Sequence, residues 1–436
     1  MNNRFFGVLM AAVMAVPVLA QNGAQSGANS AYSQYGLGIL ADQSQSSARG
    51  MGGTGLGLRD GTLVNTLNPA SYSAVDSLTM LFDAGVSGQF TNFKEQNTSL
   101  NSRSANLNYV VGLFRMRRHL GVSFGLMPFS DIGYSYTTSS YLNNSLGSIS
   151  ETFSGSGGIH QLFVGAGWNP FKALSLGVNV AYLWGNYNRS ATSTAVPTVN
   201  SLSKVYKASI NSYQVTLGMQ WQQAIDKKNS MTLGATVGLG HKLGADPTCD
   251  IINLNTSTLV SDTTTTTIKN GLELPMSYGV GASWNHDKKL TLAADYTLQK
   301  WGSIDYPSYN ETTGVYGLKS GLLKDRTRMS IGADYVIDPQ HPTSYLKHVH
   351  FRAGASYTSP YYTINGHDGP KDISLTAGLS LPLVSKWNIG AGMRPVLNIS
   401  AQWIRTSAKD LITENSFRIN LGLTFNERWF AKWRID

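Results

Sequence analysis

The 436-residue sequence carries a single cysteine, Cys249, which excludes any disulfide framework within the chain. Charge is scarce: 14% of residues are Asp, Glu, Lys or Arg against 42% hydrophobic, which argues against a disordered chain. The net charge of +9 is spread without a dense patch, so nucleic acid is not expected as a partner. Beyond the N-terminal residues no apolar stretch reaches the ~18 needed for a transmembrane helix. Catalytic signatures are missing too. There is no Gly-x-Ser-x-Gly elbow, no His-Glu-x-x-His and no phosphate-binding loop, and the eight histidines show no metal-ligand spacing. His341, His348 and His350 fall near one connection and read as part of a solvated turn. The chain is therefore not read as an enzyme, and no cofactor or metal is expected.

What is present starts at the N-terminus. Arg4 gives a short positive region, the run Phe5–Val16 is apolar, and Val18 and Ala20 are small residues before Gln21. This pattern predicts a secretory signal peptide over residues 1–20. No cysteine follows the expected cleavage point, so no lipid anchor is expected there.

From Leu78 onward, apolar and polar residues alternate with period two. Ile373, Leu375, Ala377, Leu379 and Leu381 interleave with Ser374, Thr376, Gly378 and Ser380, and Phe417 to Phe425 does the same. Such segments are strands with one apolar face. A soluble sandwich gives the same alternation, but two further features favour lipid. The second face is rich in Gly, Ser, Thr and Asn and carries Asp295, Asp334, Arg352 and Arg418, while the strands end in aromatics such as Trp168, Trp221, Trp284, Trp301, Trp387 and Trp403. Apolar outside, polar inside and aromatic at the rims describes a lipid-embedded barrel, which must close because open edges cannot be hydrated there.

Connections between the strands alternate in length. Arg115–His119, Asn169–Ala173, Asp226–Asn229, Asn285–Lys289 and Val384–Lys386 are short, with Pro339–His348 the longer member of that set. Asn92–Arg103, Thr137–Gly157, Asn188–Tyr206, Gly244–Thr266, Gly302–Leu323, Pro360–Lys371 and Thr406–Asn415 are long and mostly polar. The reading is an all-β, antiparallel up-and-down barrel of about 14 strands over residues 78–436. The expected strand centres include Tyr109, Phe124, Phe163, Ile331 and Ala391. Residues 21–77 do not alternate, and a barrel of this size encloses more space than its side chains fill. The segment is expected to plug the lumen; a disordered tail is the alternative.

Within it, Ser46-Ser47-Ala48-Arg49-Gly50-Met51-Gly52-Gly53-Thr54-Gly55-Leu56-Gly57 leads through Asp60 to Asn68-Pro69-Ala70-Ser71. This resembles the N-terminal hatch of the FadL/TodX family of outer-membrane channels for hydrophobic compounds. Asn68, Pro69 and Ala70 match that family's Asn-Pro-Ala; Gly50, Gly52 and Gly53 match its Gly-rich stretch in type. The tail Phe425–Phe430 is similar to that of members from Bacteroidetes-type bacteria. The third strand, Gly125–Gly133, contains Pro128, which donates nothing to a ladder and so marks a bulge, kink or opening. The resemblance implies that this kink, with Pro128, Asp131 and Gly133, opens a lateral window into the bilayer.

The lumen charges Asp295, Asp334, Arg352 and Arg418 read as a network bracing wall against plug, or alternatively as partners for a cargo carboxylate. By resemblance, the chain is expected to be a Gram-negative outer-membrane channel for passive uptake of hydrophobic, fatty-acid-like molecules. Its partners would be outer-membrane lipid and the cargo, with an apolar pocket in loops such as Tyr306–Tyr316 and Tyr357–Ile364. Two alternatives stand beside it. One is a non-conducting subunit or substrate shuttle of an envelope complex with protein partners, as in the PorV-type subunits of Bacteroidetes secretion systems. The other, a water-filled porin, is disfavoured by the plug-like segment.

Overall fold

The computed structural model describes residues 30–428 except 78, 96–97, 142–147, 197–199, 340–344 and 384–394. Fourteen antiparallel strands form one closed wall. They are β1 (Thr79–Glu95), β2 (Thr98–Arg117), β3 (Leu120–Tyr141), β4 (Ser148–Phe171), β5 (Leu174–Val196), β6 (Asn200–Ala224) and β7 (Asn229–Gly238). The second half comprises β8 (Ser277–His286), β9 (Leu290–Gln299), β10 (Arg326–Val336), β11 (His350–Thr358), β12 (Lys371–Pro382), β13 (Val396–Ser407) and β14 (Thr413–Arg428). Each pairs with its sequence neighbour, and β14 closes on β1 from Arg428 opposite Thr79 to Thr413 opposite Lys94. Closure removes the sheet edges that lipid would punish.

The wall's outer face is an apolar belt. Leu162, Val164 and Trp168 on β4, Val180 and Tyr182 on β5, and Phe417, Ile419 and Leu421 on β14 are all exposed. Their alternates, such as Phe163, Leu183 and Asn420, are buried inside. Trp168, Trp221 and Trp403 stand exposed on the wall, whereas Trp301 is fully buried in a loop and belongs to no girdle.

Two expectations from the sequence need correction. The stretches read as loops at Asn92–Arg103, Thr137–Gly157 and Asn188–Tyr206 are largely strand: β1 runs to Glu95, β2 starts at Thr98, and β3 to β6 continue far beyond the apolar belt. Ser, Thr and Asn on both faces hide a strand from an apolar-alternation reading, yet threonine is a good strand former. A hairpin of Thr248–Asn255 and Val260–Thr267 extends this raised sheet, its first arm pairing with residues 200–207 of β6. Cys249 lies buried in that arm, not in a loop. The expected centre of the thirteenth strand, Ala391, falls outside the described residues, as do residues 1–29, Trp387 and His341; β13 begins at Val396.

Residues 30–77 run inside the barrel. Two apolar clusters bury them. One gathers Val64, Tyr72 and Val75 of the inner segment against Leu81, Tyr109, Val111, Leu113, Met127 and Phe163 of β1 to β4. The other, toward the long-loop end, sets Tyr32 and Leu37 against Ile132, Ile159, Leu183 and Ile210 and against loop residues Leu243, Leu272, Trp301 and Tyr361. Part of the inner wall is thus apolar, where β1 to β6 meet the inner segment.

Candidate functional site

The inner segment is fastened to the wall by its own backbone. Asn68 caps the short 3-10 helix Pro69–Ala74, its side chain accepting from the Ala70 N–H at 3.1 Å. The same amide donates to the carbonyls of Leu56 at 2.9 Å and of Met219 on β6 at 3.1 Å. Pro69 fixes the first helical turn at the position where its missing N–H costs nothing. The wall is bare where this helix touches it: a Cβ on Gly177 of β5 would lie 2.3 Å from the Pro69 carbonyl carbon.

The Gly-rich stretch follows a one-turn helix, Ser46–Arg49. Gly52 has φ +72° and its Cβ position is 2.8 Å from the carbonyl oxygens of both Ile331 and Ala355, so only glycine fits there. Gly53 shares the positive φ and Gly50 lies against Arg352. Asp60 sits in an exposed turn, where its carboxylate accepts from the Thr62 N–H at 2.8 Å.

Buried charges hold the segment. Asp295 on β9 accepts from the N–H groups of Gly55 at 2.6 Å and Leu56 at 2.9 Å. Asp42 pairs with Arg328 at 3.4 Å, and Arg49 donates to the carbonyls of Ser44 and Asp42, each at 3.0 Å. Asp334 and Arg352 pair at 2.9 Å, with His350 on the other carboxylate oxygen at 2.8 Å and Arg352 also on Ser380 and Asn398. Arg418 is held by Gln89 at 2.6 and 2.8 Å. The four lumen charges predicted from sequence therefore do not form one site: Asp295 meets the inner segment, Asp334 and Arg352 meet each other, and Arg418 braces β1.

The wall splits between β2 and β3. Their ladder runs only from Arg117 opposite Leu120 to Val110 opposite Leu126. Past that point, residues 98–109 of β2 and 127–141 of β3 continue without pairing to each other. Bulges flank the split: β2 shifts register against β1 at Gly85/Val86, and β3 against β4 between Pro128 and Ser130. The inner segment takes the free edge of β3. A short strand, Ile39–Leu40, pairs with Asp131 and Ser130. The Pro128 carbonyl accepts from the Gln43 amide at 2.9 Å, Phe129 O from Ala41 N–H at 3.0 Å, and Gly133 O from Ser30 N–H at 3.1 Å. The edge of β2 over residues 98–109 has no strand partner on this side among the described residues.

Toward the long-loop end lies a cavity of about 670 Å³ whose lining mixes tyrosines, among them Tyr35, Tyr134, Tyr187, Tyr306 and Tyr362, with the charged Arg189, Lys204, Glu151 and Glu311, so it is less apolar than the sequence suggests. Loop tyrosines clasp its floor: Tyr306 donates to Gly36 O at 2.5 Å, Tyr362 to Tyr32 O at 3.2 Å, and Tyr361 to Gly38 O. Arg189, buried against the Tyr187 ring, donates to Gly36 O at 2.7 Å. Burial and then neighbouring Tyr136 push the Tyr35 hydroxyl up to about 12, so it stays neutral. Sequence reasoning named the loop aromatics but missed Arg189 and the β2 edge, which have no local signature.

The fold of this barrel is shared with solved toluene transporters and a monoaromatic hydrocarbon channel. Solved structures of that kind superpose over nearly their whole length. The toluene transporter TbuX of Ralstonia pickettii gives a TM-score of 0.59 at 15% identity, covering 88% of this chain and 98% of that one. A FadL homologue of Pseudomonas aeruginosa gives 0.60 at 11% identity, covering 90% and 99%. The monoaromatic hydrocarbon channel CymD gives 0.58 at 14%, covering 91% and 100%. At these identities the likeness is one of fold. No curated protein sequence matches the chain. The BamG family model matches residues 5–436, and the chain belongs to the BamG family.

Proposed function

We propose that the protein is an outer-membrane channel for passive uptake of hydrophobic small molecules, fatty-acid-like in size and polarity. In this reading cargo enters from the long-loop side, occupies the tyrosine-lined cavity, and leaves sideways into the bilayer at the β2–β3 split. Residues 21–77 act as a plug that blocks the straight route, after a signal peptide at 1–20 has directed export.

The observation that carries this reading is the interrupted β2–β3 ladder. An unpaired β edge at membrane depth is tolerated only where it is covered or lines a cavity, and here the cover is a two-residue strand. The tyrosine cavity supports it, since phenol rings offer apolar faces with a polar rim. The test is deletion of Phe129, the bulged residue, which restores β3 register and lets the ladder extend. Uptake of a fluorescent long-chain fatty acid by cells expressing the variant is expected to fall at least ~10-fold at equal barrel abundance. Unchanged uptake sinks the lateral route.

A second reading is a non-conducting barrel within an envelope assembly complex. It is favoured by the close fastening of the inner segment, whose helix cap and Gly-rich turn are both tied to the wall. Stoichiometric protein partners in mild-detergent pull-downs, with no uptake, would select it.

A further inference from the structure

The outer face of the wall carries a recess beside the β2–β3 split, and Asp131 of the strand-3 kink forms one of its edges. It lies across β3, β4 and β5, has a volume of about 430 Å³, and is lined by Asp131, His160, Trp184 and Asn186 with Gly158 and Gly185 at its base. Alternation fixes its direction. Ile132, Ile159 and Leu183 are buried inside the barrel, so Asp131, His160 and Trp184 face outward. Glycine backbone forms the floor. Gly158 and Gly185 have φ +151° and +158°, and a Cβ on Gly185 would lie 2.1 Å from the Gly158 carbonyl oxygen, so a larger residue would strain and fill the recess.

Its depth in the membrane is legible from the same strands. Going toward the long loops, the outward residues of β4 run Val164, Leu162, His160, Gly158, and those of β5 run Val180, Tyr182, Trp184, Asn186. The recess sits where apolar gives way to polar, the level of lipid headgroups. Trp184 stacks on Tyr182 with ring centroids 5.8 Å apart and meets His160 at 5.8 Å, giving the recess an aromatic wall. Facing that wall, the Asp131 carboxylate makes no side-chain hydrogen bond or salt bridge among the described residues, its charged neighbours being His160 and Arg418. His160 beside it and Arg418 both act on it electrostatically without reaching hydrogen-bond distance, and the Arg418 N–H groups are bonded to Gln89. A carboxylate beside aromatic faces is a cation site.

We propose that this recess binds the protonated primary amine of a membrane lipid. The ammonium pairs with Asp131 against the Trp184 and His160 rings, and the acyl chains lie down the apolar belt over Leu162 and Val180. Lipid is the occupant because those exposed aliphatic side chains lead directly into the recess. The site does not depend on whether the lumen conducts.

The test uses the full chain in nanodiscs of mixed phosphatidylethanolamine and phosphatidylglycerol, with lipid retained after detergent extraction counted by native mass spectrometry. Wild type is expected to retain phosphatidylethanolamine in preference. Asp131→Asn is expected to reduce that preference ~10-fold and Asp131→Glu to restore part of it, folding being checked by heat-modifiable gel migration. Should Asp131→Asn fail to fold, wild type still decides: dodecylamine should displace the retained lipid ~10-fold better than dodecanol. Equal retention of both lipids, equal displacement by amine and alcohol, or an amine preference unchanged in Asp131→Asn overturns the proposal. So does occupancy of the recess by a lysine of a co-purifying protein, located by cross-linking.

Discussion

At the residue scale, the inner segment depends on a few polar side chains doing two jobs each. Asn68 caps a helix and satisfies two carbonyls, one of them on the wall. Replacing it with alanine uncaps the Ala70 N–H and cuts the tie to the Met219 carbonyl, although the Leu56 carbonyl keeps the Gln220 amide, and Asn68→Ala is expected to cost about 1–3 kcal/mol, read as a lower unfolding midpoint in detergent. Asp42 gives a pH-dependent counterpart. Burial alone would raise its carboxyl, but Arg328, Arg49 and bonds from Ser44 outweigh burial and hold it below the usual carboxylate range. A depressed folded-state value contributes stability above the unfolded value of 3.8 that is lost as the pH falls through the folded one. Asp42→Asn should therefore melt earlier than wild type at pH 7, and the gap should begin to narrow only below about pH 4. Cys249 is the opposite case: burial first, then Asp250, push its thiol up to about 11. It is expected to react with maleimide at least ~10-fold more slowly in the folded chain than in denaturant, followed by mass shift.

At the scale of elements, the strands were legible wherever one face met lipid, because the side-chain period of two is then written in apolar residues. Beyond the belt both faces of β3 to β6 meet water or the mouth cavity, and the pattern dissolves into Ser, Thr and Asn. The same strands, now polar, were read as loops. Pro128 marked the third strand as irregular, but the extent of the split was not written there. It depends on two bulges, one opposite Gly85/Val86 in β2 and one at Phe129 in β3, bending neighbouring strands apart. The amides of β2 over residues 104–109 that point toward β3 are accordingly expected to exchange with deuterium faster than those pointing toward β1 and than those of the stretch 110–117. Uniform protection along β2 would mean that the split is closed in the membrane.

For the whole molecule, closure of the wall and filling of the lumen are separate achievements. The wall closes by neighbour pairing alone, so a chain lacking residues 30–45 is expected to fold, judged by heat-modifiable migration. It would lose the strand at the split, the tyrosine-clasped floor and the Asp42–Arg328 pair together. Such a barrel is expected to pass ions in planar bilayers where wild type does not. A silent truncated barrel would show that the remaining segment, through Asn68 and the Gly-rich turn, seals the lumen by itself.

Alternation, aromatic rims and the sparse charge were enough to determine a lipid-facing barrel of fourteen strands, because each is a local answer to which solvent a side chain meets. The inner segment announced itself through its glycines and Asn-Pro-Ala, whose geometry is also local. Only the tertiary structure decided which partners the buried charges take. Asp295 lies 239 residues from the Leu56 N–H it accepts, and Arg418 lies 329 from Gln89. It also decided where β2 and β3 part, that loop tyrosines hold the floor of the mouth, and that Asp131 turns outward beside Trp184. These depend on strands brought together by closure, and no spacing along the chain encodes which residues a closed wall sets side by side.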